Sequence, residues 1–182
     1  MSTPRIPFEQ LPEDLREQLR PRVERLGYLG EFFQVAAHQP EALSHFAAFT
    51  EALKGALPAP LTEAIALTVA TATGNDYERV QHERLALALG IEEATVRALV
   101  AGELDRLAPE QRAAAELAAE VVAARGGSCE ASYRRLEELV GAEVAVGCLM
   151  VAGRYLAHAT MSNTWGLQPP VASPLGEGAV HA

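Results

Sequence analysis

Gly74-Asn75-Asp76-Tyr77-Glu78-Arg79-Val80-Gln81-His82, with Glu63 standing eleven intervening residues before Asn75, is the stretch that decides how this chain folds. Asn75 and Asp76 are N-cap residue types, so a helix is expected to start there, with Glu78 and His82 four residues apart on one face. On the other side of Gly74, the run from Leu61 to Thr73 presents Leu61, Ile65, Leu67 and Val69 and is apolar almost all round, with Glu63 as its only charge. A helix apolar on most sides is buried on most sides. The stretch therefore reads as two helices that meet at Gly74 and carry ionisable side chains into an apolar, alanine-rich region.

Helical patterns continue outward in both directions. Leu15, Leu19, Val23 and Leu26 recur at three- and four-residue steps after Pro12 and before Gly27, giving a first amphipathic helix. Tyr28 to Ala37 reads as a short second helix and Glu41 to Leu57 as a third, closed by a hinge at Pro58-Ala59-Pro60. Asp76 to Leu89 is expected to end at Gly90, a residue suited to the left-handed conformation after a helix. Glu92 to Ala101, Pro109 to Arg125, Cys129 to Val140 and Ala142 to Trp165 follow, separated by Gly102, Gly126-Gly127 and Gly141. The expected architecture is an all-α, single-domain helical bundle of about eight to nine helices over residues 1–167. Residues 168–182, rich in Pro and Gly, are expected to form a flexible tail.

Composition narrows what such a bundle does. The chain has 182 residues with 49% hydrophobic content, enough for one substantial core. Ala, Leu and Val carry that share, which favours helices and gives no indication of sheet. A formal net charge of -9 argues against a phosphate backbone as partner, because that affinity comes from clustered Lys and Arg. Neither a long apolar run nor a signal-peptide pattern is readable, so no membrane span and a cytoplasmic location are expected. The two cysteines, Cys129 and Cys148, are far apart and form neither a CxxC nor a metal-ligand pattern, which suits reduced thiols. No metal and no cofactor are expected.

The spacing from Glu63 through positions 75 and 78 to His82 resembles the helical alkylhydroperoxidase signature, in which the equivalents of 75 and 78 are both cysteine. Around it, Leu67-Thr68-Val69-Ala70, Tyr77, Gln81-His82, Leu85-Ala86 and Gly90-Ile91 are similar to the wider carboxymuconolactone decarboxylase superfamily. His38-Gln39-Pro40-Glu41 and Leu107-Ala108-Pro109-Glu110-Gln111 extend the resemblance over most of residues 28–165. It implies the alkylhydroperoxidase-like fold and a homo-oligomer, whether dimer, trimer or hexamer. In the peroxidase branch the cysteine pair reduces peroxide through a thiolate. Asn75 and Glu78 cannot do this, so thiol peroxidase activity is disfavoured. The decarboxylase branch also lacks the cysteine pair and keeps the histidine with an acidic residue nearby, as this chain does.

A Glu and His pair does proton transfer near neutral pH. The expected catalytic set is His82 as general acid or base, Glu78 as second donor or acceptor, and Glu63 as orienter, with Tyr77 and Asn75 lining the substrate site. The expected substrate is a small carboxylic acid or lactone undergoing decarboxylation, isomerisation or lactone chemistry. The alternative is an inactive oligomeric binding or assembly module.

Structural readings stand beside these. Asn75 and Glu78 also form a capping box, in which Glu78 reaches back to the cap. Glu63 in a first turn is favoured by the helix dipole. Tyr77 serves as packing, Cys129 as a small hydrophobe at a helix start and Cys148 as core, while Arg154 and His158, four apart on the last helix, reach either the pocket or a subunit boundary. If the two central helices run antiparallel, Glu63 lies roughly 16 Å and His82 roughly 10 Å from the turn at about 1.5 Å per residue. Direct contact, a bridging water and a bend at Gly74 all remain open.

Overall fold

The computed structural model describes residues 3–176 and contains nine α-helices, two 3-10 turns and no strand among them. Contacts between Cα atoms divide the chain into two compact units, Met1–Ala52 and Leu53–Ala182. The first holds helices α1 (Glu13–Leu26) and α2 (Glu31–Ala36) and most of α3 (Pro40–Ala56). Leu15 and Leu19 of α1 are buried, and in α2 Phe32 meets Phe33 edge to face with ring centroids 5.5 Å apart. Helix α2 begins at Glu31 rather than Tyr28, because Gly30 occupies its N-cap in an extended conformation.

The second unit carries Glu63 and the stretch from Gly74 to His82. Its central helix α4 (Ala59–Ala72) is buried from Leu61 through Ala70 without interruption. It packs most extensively on α7 (Pro109–Ala124), then on α5 (Asp76–Ala88) and α9 (Ala142–Thr164), with α6 (Glu93–Ala101) and α8 (Glu130–Val140) completing the unit. One side of α4 joins Ile65, Ala66 and Val69 to Leu117, Leu136, Cys148, Val151 and Ala152. The other joins Ala64 and Leu67 to Ala86, Val96, Leu99 and Ala115. Alanines at these contacts let backbones approach closely, and each buried Leu, Ile or Val contributes roughly 1.5–3 kcal/mol of transfer free energy. Gly147 leaves no room for a side chain, since an added Cβ would meet Leu57 Cδ2 at 2.7 Å.

Three local readings are corrected by the backbone. Ala59 and Pro60 are the first residues of α4 and not a hinge, since first-turn N–H groups have no intrahelical partner and proline loses nothing there. Glu63 therefore sits past the first turn, which contains no acidic residue, and the helix dipole does not account for it. Helix α9 is long and apolar enough by length and composition alone to cross a membrane, with a mean hydropathy of 1.3, so the expectation that no such run exists does not hold. Its Ala145, Cys148, Val151 and Ala152 nevertheless pack into the core of this unit, and Arg154 and His158 within it face a carboxylate described below.

The first part of the expected flexible tail is tied down. Ser173 Oγ donates to Glu83 Oε2 at 2.6 Å, Arg97 donates to the Leu175 carbonyl at 3.0 Å, and the Leu175 side chain packs with Val96 and Leu99. A buried leucine and two polar anchors offset the chain entropy that Pro and Gly content alone suggested. The rest of that tail, residues 177–182, lies outside the described residues.

Candidate active site

The connection from α4 to α5 is three residues long, and its geometry follows from glycine. Gly74 takes φ +60, its N–H bonds to the Thr71 carbonyl at 3.1 Å, and the Asn75 N–H bonds to the Ala70 carbonyl at 2.8 Å. These are the two bonds of a Schellman turn, which needs a left-handed residue between them. Asn75 then caps α5 at once, its Oδ1 accepting from the Glu78 N–H at 3.0 Å. The reciprocal half of the capping box does not form. The Asn75 N–H is already committed to Ala70, so the Glu78 carboxylate is left to do something else.

That carboxylate turns towards histidines. His82 Nε2 lies 3.6 Å, His158 Nδ1 3.4 Å and Arg154 Nη1 3.7 Å from the same oxygen, Glu78 Oε2. On the opposite edge of its ring, His82 Nδ1 donates to Glu63 Oε2 at 2.7 Å. The contact left open by helix geometry is therefore direct, the reach of two side chains bridging the axial offset between their helices. All five residues are buried, none being more than 9% exposed.

The remaining partners come from α5 and α9. Asn75 Nδ2 donates to Ser162 Oγ at 3.3 Å, and Ser162 Oγ lies 3.1 Å from His158 Nδ1. The Tyr77 ring stacks on the His158 ring at 6.4 Å, and Tyr155 meets His82 edge-on at 4.9 Å. The Arg154 guanidinium lies 4.5 Å over the Tyr155 ring, a cation–π contact. Further along α5, Arg79 bridges Asp76 and the fully buried Glu83, which the Ser173 hydroxyl also reaches.

The electrostatics follow from this packing. Burial raises the Glu78 carboxyl's proton affinity, but the charge of His158, the hydrogen bond and charge of His82, and Arg154 together outweigh it and hold the group well below the usual carboxylate range. Burial also disfavours a charged His82, yet Glu63, by charge and hydrogen bond, and then Glu78 override this and push the imidazole above its ordinary value. His82 is thus a proton carrier held between two carboxylates. With Nδ1 committed to Glu63, Nε2, which faces Glu78, is the nitrogen placed to exchange a proton.

The cysteines lie elsewhere. Cys148 is buried in the core and its thiol is pushed up to about 11 by burial. Cys129 lines a groove of about 580 Å³ with Val121, Tyr133, Leu149 and Leu156, and burial with Glu120 nearby raises its thiol as well. Among the described residues no group of three or more His, Cys, Asp or Glu is arranged to hold a metal ion.

Residues 40–120 match the family model described as the carboxymuconolactone decarboxylase family. That segment is 81 of the chain's 182 residues. It contains Glu63, Asn75, Tyr77, Glu78 and His82, while the decarboxylase-family match ends before Arg154, His158 and Ser162. No curated protein matches the chain by sequence.

Solved structures share the fold. An alkylhydroperoxidase core, an uncharacterized peroxidase-related protein from Ralstonia eutropha JMP134, is 24% identical with a TM-score of 0.77, over 98% of this chain and 94% of that one. The debrominase Bmp8 without ligand is 17% identical with a TM-score of 0.75, over 89% of this chain and 88% of that one. A cysteine-to-alanine variant of Bmp8 in complex with 2,3,4-tribromopyrrole is 19% identical with a TM-score of 0.75, over 96% and 95% of the two chains.

The expected residues Glu63, Asn75, Tyr77, Glu78 and His82 come together here, with Asn75 acting as cap and bridge. Ser162, Tyr155 and Glu83 were missed by sequence reasoning, and Arg154 and His158 were left between two roles. A signal was present: Arg154, His158 and Ser162 recur every fourth residue and form one polar stripe on an otherwise apolar helix.

Proposed function

We propose that this protein is a non-redox enzyme of the carboxymuconolactone decarboxylase type, using acid and base catalysis on a small carboxylic acid or lactone. The observation that carries the reading is the His82 ring held at both nitrogens, by Glu63 at 2.7 Å and by Glu78 at 3.6 Å, inside a buried cluster. Glu63 fixes the tautomer and supports the imidazolium. From the imidazolium, Nε2 gives its proton to a developing enolate, and the neutral ring so formed takes a proton back from a carbon acid, with Glu78 as a carboxylate able to accept. Arg154 and His158 bring positive charge to the same place, which suits a substrate carboxylate or a developing enolate. Bmp8, with the same fold, takes a small bromopyrrole ring, and this supports a small organic molecule as substrate.

Thiol peroxidase chemistry has little to work with here. Its two positions are Asn75 and Glu78, and both cysteines of the chain have thiols raised away from the reactive thiolate form. A second reading, an oligomeric assembly module, draws on Leu139, Val146, Leu149 and Met150, all exposed on α8 and α9. It leaves the buried cluster unexplained, because a fold with no use for buried charges is often as stable or more so with apolar replacements.

The test is turnover of a panel of small lactones and oxo acids, read by CO₂ release and by ultraviolet absorbance. His82→Ala and Glu78→Gln are each expected to lower turnover by roughly 10²–10⁴ with folding intact. A fully active double variant sinks the proposal.

A further inference from the structure

We infer that His158 is a positioning residue of this site: its ring, fixed with a proton on Nδ1, holds Glu78 ionised and so sets the proton affinity of His82. The role in turnover rests on the acid/base reading above; the coupling itself does not.

The tautomer follows from counting protons on Ser162. Its hydroxyl has one hydrogen, and this is donated to the His158 backbone carbonyl at 2.5 Å. Towards His158 Nδ1, at 3.1 Å, the same oxygen must accept, and its other lone pair takes the Asn75 Nδ2 donor at 3.3 Å. Nδ1 therefore carries an N–H. Nδ1 also lies 3.4 Å from Glu78 Oε2, within ion-pair distance, and Tyr77 stacked against the ring restricts its rotation.

Glu78 Oε2 is the meeting point of the whole cluster. His82 faces it from α5, and Arg154 and His158 face it from α9. Glu63 on α4 acts on it through the His82 ring, whose edge contact is Tyr155. Burial opposes ionisation of Glu78, and the charge of His158, the hydrogen bond and charge of His82 and the charge of Arg154 act together to keep it ionised. Coupling between two sites is reciprocal, so the carboxylate must act on His158 as strongly as His158 acts on it. One carboxylate shared by two imidazoles ties their titrations together.

The experiment follows histidine ring and glutamate carboxyl signals by NMR across pH, in isotope-labelled full-length protein without ligand. Glu78→Gln, equal in shape and uncharged, is expected to lower the midpoints of both His82 and His158 by about one to three pH units. His158→Leu is expected to raise the Glu78 midpoint, and His158→Asn, which keeps an N–H near the place of Nδ1, to restore part of the difference. In the acid/base reaction these same substitutions shift the pH dependence of turnover as well as its size.

An unchanged His158 midpoint in Glu78→Gln overturns the inference, whatever becomes of His158→Leu. Midpoints that move together in protein without turnover leave the coupling standing and count against the enzyme reading instead. Turnover with both midpoints unmoved does the reverse.

Discussion

Replacing Glu63 by Gln tests the centre of the site while changing almost no volume. Glu63 is 2% exposed and its Oε2 accepts from His82 Nδ1 at 2.7 Å, so the carboxylate has given up its hydration for this contact. Gln keeps an acceptor oxygen in place and removes the charge. A hydrogen bond to a charged group contributes about 1.5–3 kcal/mol and a neutral one about 0.5–1.5, so the expected loss is about 1–2 kcal/mol. At about 2–4 °C per kcal/mol for a chain of this size, Tm falls by about 5 °C. Glu63→Ala removes the acceptor too and strands the imidazole, for which about 3–5 kcal/mol is expected.

The pH dependence carries the sharper test. His82 has its folded pKa raised above 6.5, so its stabilisation is complete below that value and is lost as pH rises through the folded pKa. In Glu63→Gln the folded pKa falls back towards the unfolded one. The stability difference between wild type and variant is therefore largest near pH 6 and shrinks as pH climbs past the wild-type His82 pKa, as urea unfolding at a series of pH values would show. A difference that stays constant over this range refutes the account, because it would mean that the pair is not charged in the folded protein.

The remaining expectations are simpler. Gly147→Ala drives a Cβ to 2.7 Å from Leu57 Cδ2 and is expected to cost about 1–3 kcal/mol, with Leu57→Ala in the same chain relieving part of the strain; additive losses in thermal unfolding would contradict this. Ser173→Ala takes a donor from the buried Glu83 carboxylate, and a loss of about 1–2 kcal/mol in urea unfolding is expected, against none if the 173–176 segment merely rests on the surface. Peroxide-dependent oxidation of a dithiol is expected to run no faster with wild type than with a Cys129→Ser, Cys148→Ala variant, and a clear excess in wild type would restore thiol chemistry to the site.

Much of this arrangement was legible in the sequence, for identifiable reasons. Helix type and number followed from apolar periodicity and from Gly and Pro, and Asn75 announced the start of α5 because capping is a local interaction. The Glu63 to His82 contact was visible only as a spacing, since helix propensity says nothing about how two helices cross. The destination of the Glu78 carboxylate was hidden for a different reason. The capping box and the buried cluster compete for it, and the contest is settled by the Asn75 N–H, which the Schellman turn has taken. The Ser173 contact to Glu83 was not legible because the two lie 90 positions apart and the composition around Ser173 suggested a loose end.

The position of the charges suggests where the chemistry of this site is decided. Glu63 and His82 lie within residues 40–120, the segment shared with the family, and they supply a proton carrier with one nitrogen committed. A histidine and a carboxylate alone do not specify a reaction. What surrounds the other nitrogen is contributed by α9, outside that segment: Arg154 and His158 against Glu78, and Ser162 joining His158 to Asn75. Glu78 is tolerable in the interior only because these partners compensate its burial, and they in turn are buried cations or donors that need Glu78. Removing one side leaves buried charge on the other without its partner. Positions 75 and 78 and the polar stripe of α9 are therefore expected to change together or not at all.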